Sequence, residues 1–200
     1  MNRKIIIVTG APGTGKTTLS CGLAERFNMP CVYKDEIKEI LFDNLLVTGE
    51  TKATQYGIGS VKIQMLLIEK LLQMNSPFFV EGNFDNRQST PYFQELWKKY
   101  HYQTLQIVCE TDLTTLYKRC KERELSPERH QGHKQKSYNI IEFGIYIKRH
   151  NYQMDLNDCE IMKLDTTDFL RMKTEKIEEK IRNFIIEKEE QSNKSLKLTP

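Results

Sequence analysis

The chain has 200 residues, 38% of them apolar and 28% charged, which is ordinary for a globular chain and suits one α/β domain. Its net charge of only +3 implies no global field for nucleic acid. No apolar run approaches ~20 residues, so no membrane span is expected, and a strand begins at once, leaving no room for a signal peptide.

The first predicted element is a strand over 3–9. Lys4-Ile5-Ile6-Ile7-Val8 is β-branched without polar alternation, the pattern of a strand buried on both faces in a parallel sheet. It runs into VTGAPGTGKTTLS, residues 8–20, where Gly10 to Thr17 fits G-x-x-x-x-G-K-[ST] between a strand and a helix predicted over 16–27. Residue types follow from the chemistry. Phosphate oxygens must come close to main-chain N–H groups, and glycine has no Cβ to block them. Successive amides make an anion-binding concavity, and the helix start adds unpaired N–H groups. Gly10, Ala11, Pro12, Gly13, Thr14, Gly15, Lys16, Thr17 and Thr18 are therefore the expected nucleotide cradle. Lys16 would reach the β- and γ-phosphates, and the Thr17 hydroxyl would ligate Mg²⁺.

Further strands are expected over 31–33, 77–81, 103–109 and 160–165, and further helices over 35–46, 54–74, 89–100, 112–124, 137–154 and 172–190. The alternation argues for a parallel sheet covered by helices. In the third helix Ile58, Val61, Met65, Ile68 and Leu72 are read as one apolar face, loosened near its start by Gly57 and Gly59. Residues 1–190 read as a single domain and 191–200 as a flexible tail. Five cysteines, an odd count without C-x-x-C, suit reduced thiols in a cytoplasmic protein.

A nucleotide loop alone leaves several classes open. A base-reading N-K-x-D after a strand is missing, since the NKSL at 193–196 lies in the tail, and motor ATPases usually need a longer chain. A compact chain with a basic segment in its second half resembles the P-loop kinases. It is similar to the small kinases related to adenylate, shikimate and gluconate kinases, chloramphenicol phosphotransferases, zeta toxins and polynucleotide kinases. That resemblance, covering most of residues 3–190, implies a three-layer α/β fold. Its five-stranded parallel sheet would have the order 2-3-1-4-5, with a small lid at about 119–136.

The resemblance also implies site roles. Asp35, after the strand CVY, becomes the candidate base that aligns an acceptor hydroxyl, although an aspartate there can equally cap a helix. Lys38, one turn on, could touch an acidic acceptor. Glu81, closing the strand PFFV, stands where Mg²⁺ is held, with Glu in place of the commoner Asp. Asn83 and Arg87 follow where related kinases contact the acceptor; for Arg87 a surface pair with Asp85 is the competing reading. Arg119, Arg123 and Arg129 are the candidate lid guanidiniums, against the rival of a solvated basic helix. LDTTD, 164–168, would hold adenine through main-chain groups. His130 and His133 are spaced H-x-x-H, yet no cysteine or third ligand is nearby, which argues against a metal.

The expected activity is transfer of the γ-phosphoryl group of MgATP to a hydroxyl or phosphate of a small-molecule acceptor. Two alternatives stay open: a nucleic-acid 5′-hydroxyl acceptor, disfavoured by the few lysines in 35–60, and a nucleotide-dependent binding or resistance protein with little turnover. No membrane partner is expected.

Overall fold

In the computed structural model, residues 3–46, 52–133, 138–172 and 174–186 are described. The predicted tail 191–200, the end of the last predicted helix at 187–190 and the lid positions 134–136 lie outside them. Five strands, β1 (Lys4–Gly10), β2 (Cys31–Tyr33), β3 (Phe78–Gly82), β4 (Gln103–Glu110) and β5 (Cys159–Asp165), form one sheet in the order β2-β3-β1-β4-β5. All four pairings are parallel. The three-layer α/β fold with order 2-3-1-4-5 is thus borne out.

Strand alternation divides the core. Ile6 and Val8 on β1 face one side, packing with Phe79, Leu105 and Ile107 against α1 (Lys16–Phe27) and α7 (Thr174–Ile186) through Leu19, Leu23, Ile177 and Ile181. Ile5 and Ile7 face the other side, meeting Phe78, Val80 and Tyr102 and the residues Ile68, Leu72 and Phe93 of α3 (Lys52–Met74) and α4 (Asn86–Tyr100). Residues Ile5 to Val8 are wholly buried, and burial of such a side chain contributes about 1.5–3 kcal/mol.

The α3 face is offset from expectation. Its fully buried stripe runs Tyr56, Ser60, Gln64, Ile68, Leu72 at i, i+4 spacing, while Ile58 is more than half exposed. Ser60 and Gln64 go inside because their donors find main-chain partners: the Ser60 hydroxyl donates to Gly57 O, and Gln64 Nε2 donates to Val32 O and Glu81 O, while Gln64 Oε1 is buried without a partner among the described residues. Helix α4 starts earlier than predicted because the Asp85 carboxylate accepts from Arg87 N, leaving Pro91 inside the helix.

Helices α2 (Lys34–Asn44), α5 (Leu113–Leu125) and α6 (Ile140–Lys148) complete the set. The helix expected over 137–154 stops at Lys148 because the following segment is captured by the sheet. Buried Gln106 on β4 donates to Met154 O at 3.0 Å and accepts from Met154 N at 2.7 Å. Among the described residues no helix is long and apolar enough to cross a membrane.

Candidate functional site

The parallel register brings the carboxyl ends of three strands together. Val8 pairs with Glu81, Thr9 with Gly82, and Tyr33 with Glu81, so the loop after β1, the start of α2 and the end of β3 share one edge. Ligands of open α/β sheets sit at that edge.

At its centre the Gly10–Thr17 loop turns into α1. Gly15 caps α1 with φ 77, no side chain caps the helix, and its first turn holds no acid. Its N–H groups are therefore left for an anion. A Cβ on Gly10, at φ 151, would sit 2.5 Å from the Cys109 carbonyl oxygen, so the loop cannot carry a side chain there. Lys16 is 6% exposed; its Nζ lies 3.4 Å from Ala11 O and 3.9 Å from Glu81 Oε1. Burial lowers the Lys16 pKa, opposed by Glu81 and Asp35. Glu81, 3% exposed, accepts from the Thr17 hydroxyl at 3.2 Å. Burial raises its pKa, opposed chiefly by Lys16. Thr17 and Glu81 present hard oxygen ligands side by side, a donor set that fits Mg²⁺.

Asp35 sits in the first turn of α2, and Lys34 Nζ donates to its Oδ1 at 3.1 Å. Burial pushes its pKa up, but Lys34, His133 and Lys16 outweigh that and hold the carboxyl at about 2. It is ionised at neutral pH. Lys38 is half-buried, its pKa lowered by burial and by Lys34. Asn83 follows Glu81 at the same edge, and its Oδ1 is buried with no hydrogen-bond partner among the described residues.

The basic segment divides. Arg119 is committed to main chain: its Nη1 and Nη2 donate to Thr166 O and Thr167 O at 2.9 Å each, and its guanidinium lies 5.1 Å from the Phe169 ring centroid. Two carbonyls of the expected adenine segment are thereby occupied. Phe169 in turn covers the nucleotide loop, where a Cβ on Gly15 would meet its ring at 2.0 Å. Arg123 and Arg129 instead line a small cavity of about 30 Å³ against Pro12 and Gly13. Arg129 Nη2 donates to His133 O at 3.0 Å, while its Nε is buried without a partner among the described residues. Arg87 turns elsewhere. It is largely exposed, donates to Arg149 O at 2.9 Å and lies 3.8 Å from Asp85. The structure therefore does not bring Arg87 to the cradle.

Three contributors escaped the sequence reading. Lys34 escaped because a lysine before a helix carries no motif. Phe169 lies beyond the last strand, with no pattern to mark it. Gln64 could have been found by extending the i, i+4 series back from Leu72 and Ile68.

A family model described as an AAA domain matches residues 6–140. Among solved structures, the chain is similar to a candidate kinase of Chloroflexus aurantiacus, with 26% identity, TM-score 0.82 and coverage of 92% of this chain and 99% of that one. A sugar kinase of Janibacter sp. HTCC2649 aligns at 10% identity and TM-score 0.53 over 92% of this chain and 95% of its own. A chain of the Pnkp1/Rnl/Hen1 RNA repair complex aligns at 20% identity and TM-score 0.53 over 74% of this chain and 44% of its own. No curated protein matches. The last two likenesses, at so low an identity, concern the fold alone.

Proposed function

The chain belongs to the AAA-domain family, within the P-loop kinases that its sequence resembles, and from this premise we propose that it transfers the γ-phosphoryl group of MgATP to a hydroxyl of a small-molecule acceptor. The observation that carries the reading is the convergence of Lys16, Thr17, Glu81 and Asp35 at one sheet edge, close enough for each charge to shift its neighbours' pKa values.

Amides of Gly10–Thr17 bind the β- and γ-phosphates. Lys16, already desolvated, gains a polyanion that offsets its burial. Thr17 and Glu81 are the groups that would hold Mg²⁺, which when bound neutralises charge on the bridging phosphate oxygens. Asp35 accepts a hydrogen bond from the acceptor hydroxyl and aligns its oxygen with the γ-phosphorus. As the new P–O bond forms and the bond to the ADP oxygen breaks, the hydroxyl proton passes to Asp35. A carboxylate held at about 2 is a feeble base toward a free hydroxyl, so its work is orientation first and proton acceptance late, which a loose transition state permits. Arg123 and Arg129, lining the cavity over Pro12 and Gly13, neutralise the moving charge and exclude water. Arg119 holds the wall of the nucleotide site through Thr166, Thr167 and Phe169. Lys38 and Asn83 face the acceptor. A cytoplasmic location suits an ATP-dependent reaction of this kind.

The test is ADP release measured over a panel of hydroxylated acceptors, alongside ATP affinity by calorimetry. Acceptor-stimulated release is expected, and Asp35→Asn should cut turnover by about 10²–10⁴-fold while ATP affinity is kept. Tight acceptor binding with no turnover would favour the sequestering protein, and wild-type turnover in Asp35→Asn would remove the role given to Asp35.

A further inference from the structure

The H-x-x-H pair at 130 and 133 supplies two ligands, and the fold supplies others from α2, 87 and 94 residues away in sequence. Glu39 and Asp43 stand one turn apart on α2, hence on one face. That face meets the short 3₁₀ turn Gln131–His133. His133 Nε2 lies 2.9 Å from Glu39 Oε1, and His130 Nε2 lies 3.0 Å from Asp43 Oδ1. Ligand atoms of Glu39, His130 and His133 all fall within 4.8 Å of one another.

We infer that Glu39, His130 and His133 form a three-ligand transition-metal site, for Zn²⁺ by ligand chemistry with water as the fourth ligand, that fastens the 131–133 turn to α2, with Asp43 beside His130. Two imidazoles with carboxylates are ligands that Zn²⁺ takes in tetrahedral geometry, whereas Mg²⁺ favours an octahedron of oxygens. Bonds of about 2.0–2.2 Å in a tetrahedron separate ligand atoms by roughly 3.3–3.5 Å. The Glu39–His133 contact needs to open by only about half an ångström to reach that spacing, and the other ligand pairs, all within 4.8 Å, to close by at most about 1.5 Å.

Packing orients the rings. His133 is buried, and Phe42 of α2 meets the His130 ring edge-on with centroids 5.4 Å apart. A Cβ on Gly132 would come within 3.0 Å of His130 Nδ1 and 3.2 Å of Phe42, so the turn approaches α2 as closely as only glycine allows. Arg129 fixes the His133 carbonyl. Lys38 and Arg129 add positive charge around His133 that a cation must overcome, and Asp35 opposes them. The Gly132 N–H donates to His130 Nδ1, so the ring proton sits on Nε2. Metal uptake at Nε2 shifts that proton to Nδ1 and frees the Gly132 N–H, so loading reshapes the turn.

The inference is independent of the phosphotransfer reading, because its test contains no nucleotide. Chelator-stripped full-length protein is titrated with Zn²⁺ against a chromophoric chelator, and with Co²⁺ by visible absorption. One equivalent of each is expected, with tetrahedral d–d bands and no thiolate-to-cobalt charge transfer. Glu39→Ala, at a half-buried helix position where alanine suits the helix, and His130→Ala should each weaken Zn²⁺ by at least about 100-fold. Glu81→Gln should leave uptake unchanged. No stoichiometric uptake, a thiolate spectrum, or unaltered affinity in both Glu39→Ala and His130→Ala would overturn the site.

Discussion

The nucleotide loop and the α2–lid contact stand at the same sheet edge but are held together differently. The loop is one continuous stretch whose main-chain turn is set by Gly10 and Gly15, and Lys16 at its end is buried beside Glu81 of the neighbouring parallel strand β3. The α2–lid contact joins residues 87 and 94 apart through histidine–carboxylate pairs, with Asp43 exposed. Backbone-built sites are set by local geometry and sheet register. A site built from side chains across a gap depends on where the lid rests, and it is open to pH, metal and substitution.

The contrast can be attacked at its strongest point first. Lys16→Ala should lower turnover by about 10³-fold, read by steady-state ADP release, because no exposed group can replace a desolvated ammonium on the phosphates. A small loss would mean the loop is not the seat of the chemistry. Gln64→Leu tests the scaffold under it. The amide's bonds to Val32 O at 3.1 Å and Glu81 O at 2.8 Å are lost from a fully buried position, so denaturant unfolding should show a loss of about 2 kcal/mol.

Acid separates the two carboxylates. Glu81, raised by burial, takes up its proton above the usual carboxylate range, so Mg²⁺-dependent ATP affinity should fall as pH drops through that raised value. Asp35, depressed to about 2, stays ionised there. Its contribution to stability is present above the ordinary aspartate value and is lost only as pH falls toward about 2. The acid limb of ATP binding should therefore persist in Asp35→Asn, as calorimetry across pH would show. The smallest effect is expected at Arg87. Tied to Arg149 O and Asp85 on the outside, Arg87→Ala should change kcat/KM by less than about threefold; a larger rise in acceptor KM would bring it back to the site.

Much of this was legible in the chain. All five strands lie within a residue or two of expectation, because runs such as Ile5–Val8 have no polar alternation and can only be buried on both faces. The end of α6 was not legible, since Gln106, a polar residue in an apolar strand, captures Met154 by an amide contact across 48 residues. For Gln64 the i, i+4 series could have marked the inward position, but its partners, carbonyls on β2 and β3, could not be read from the chain. Arg119 and Arg87 look alike as sequence; only their different carbonyl partners distinguish them.

By itself the sequence determined the strand–loop–helix cradle and the alternation that makes a parallel sheet, because both follow from local rules: where glycine permits close approach, and which residues can be buried on two faces. Only the tertiary structure decided which arginines face the nucleotide loop, how Asp35 is charged and what His130 and His133 touch. Those outcomes depend on desolvation and on distances of about 3 Å between groups far apart in the chain, and no spacing along a sequence encodes such distances.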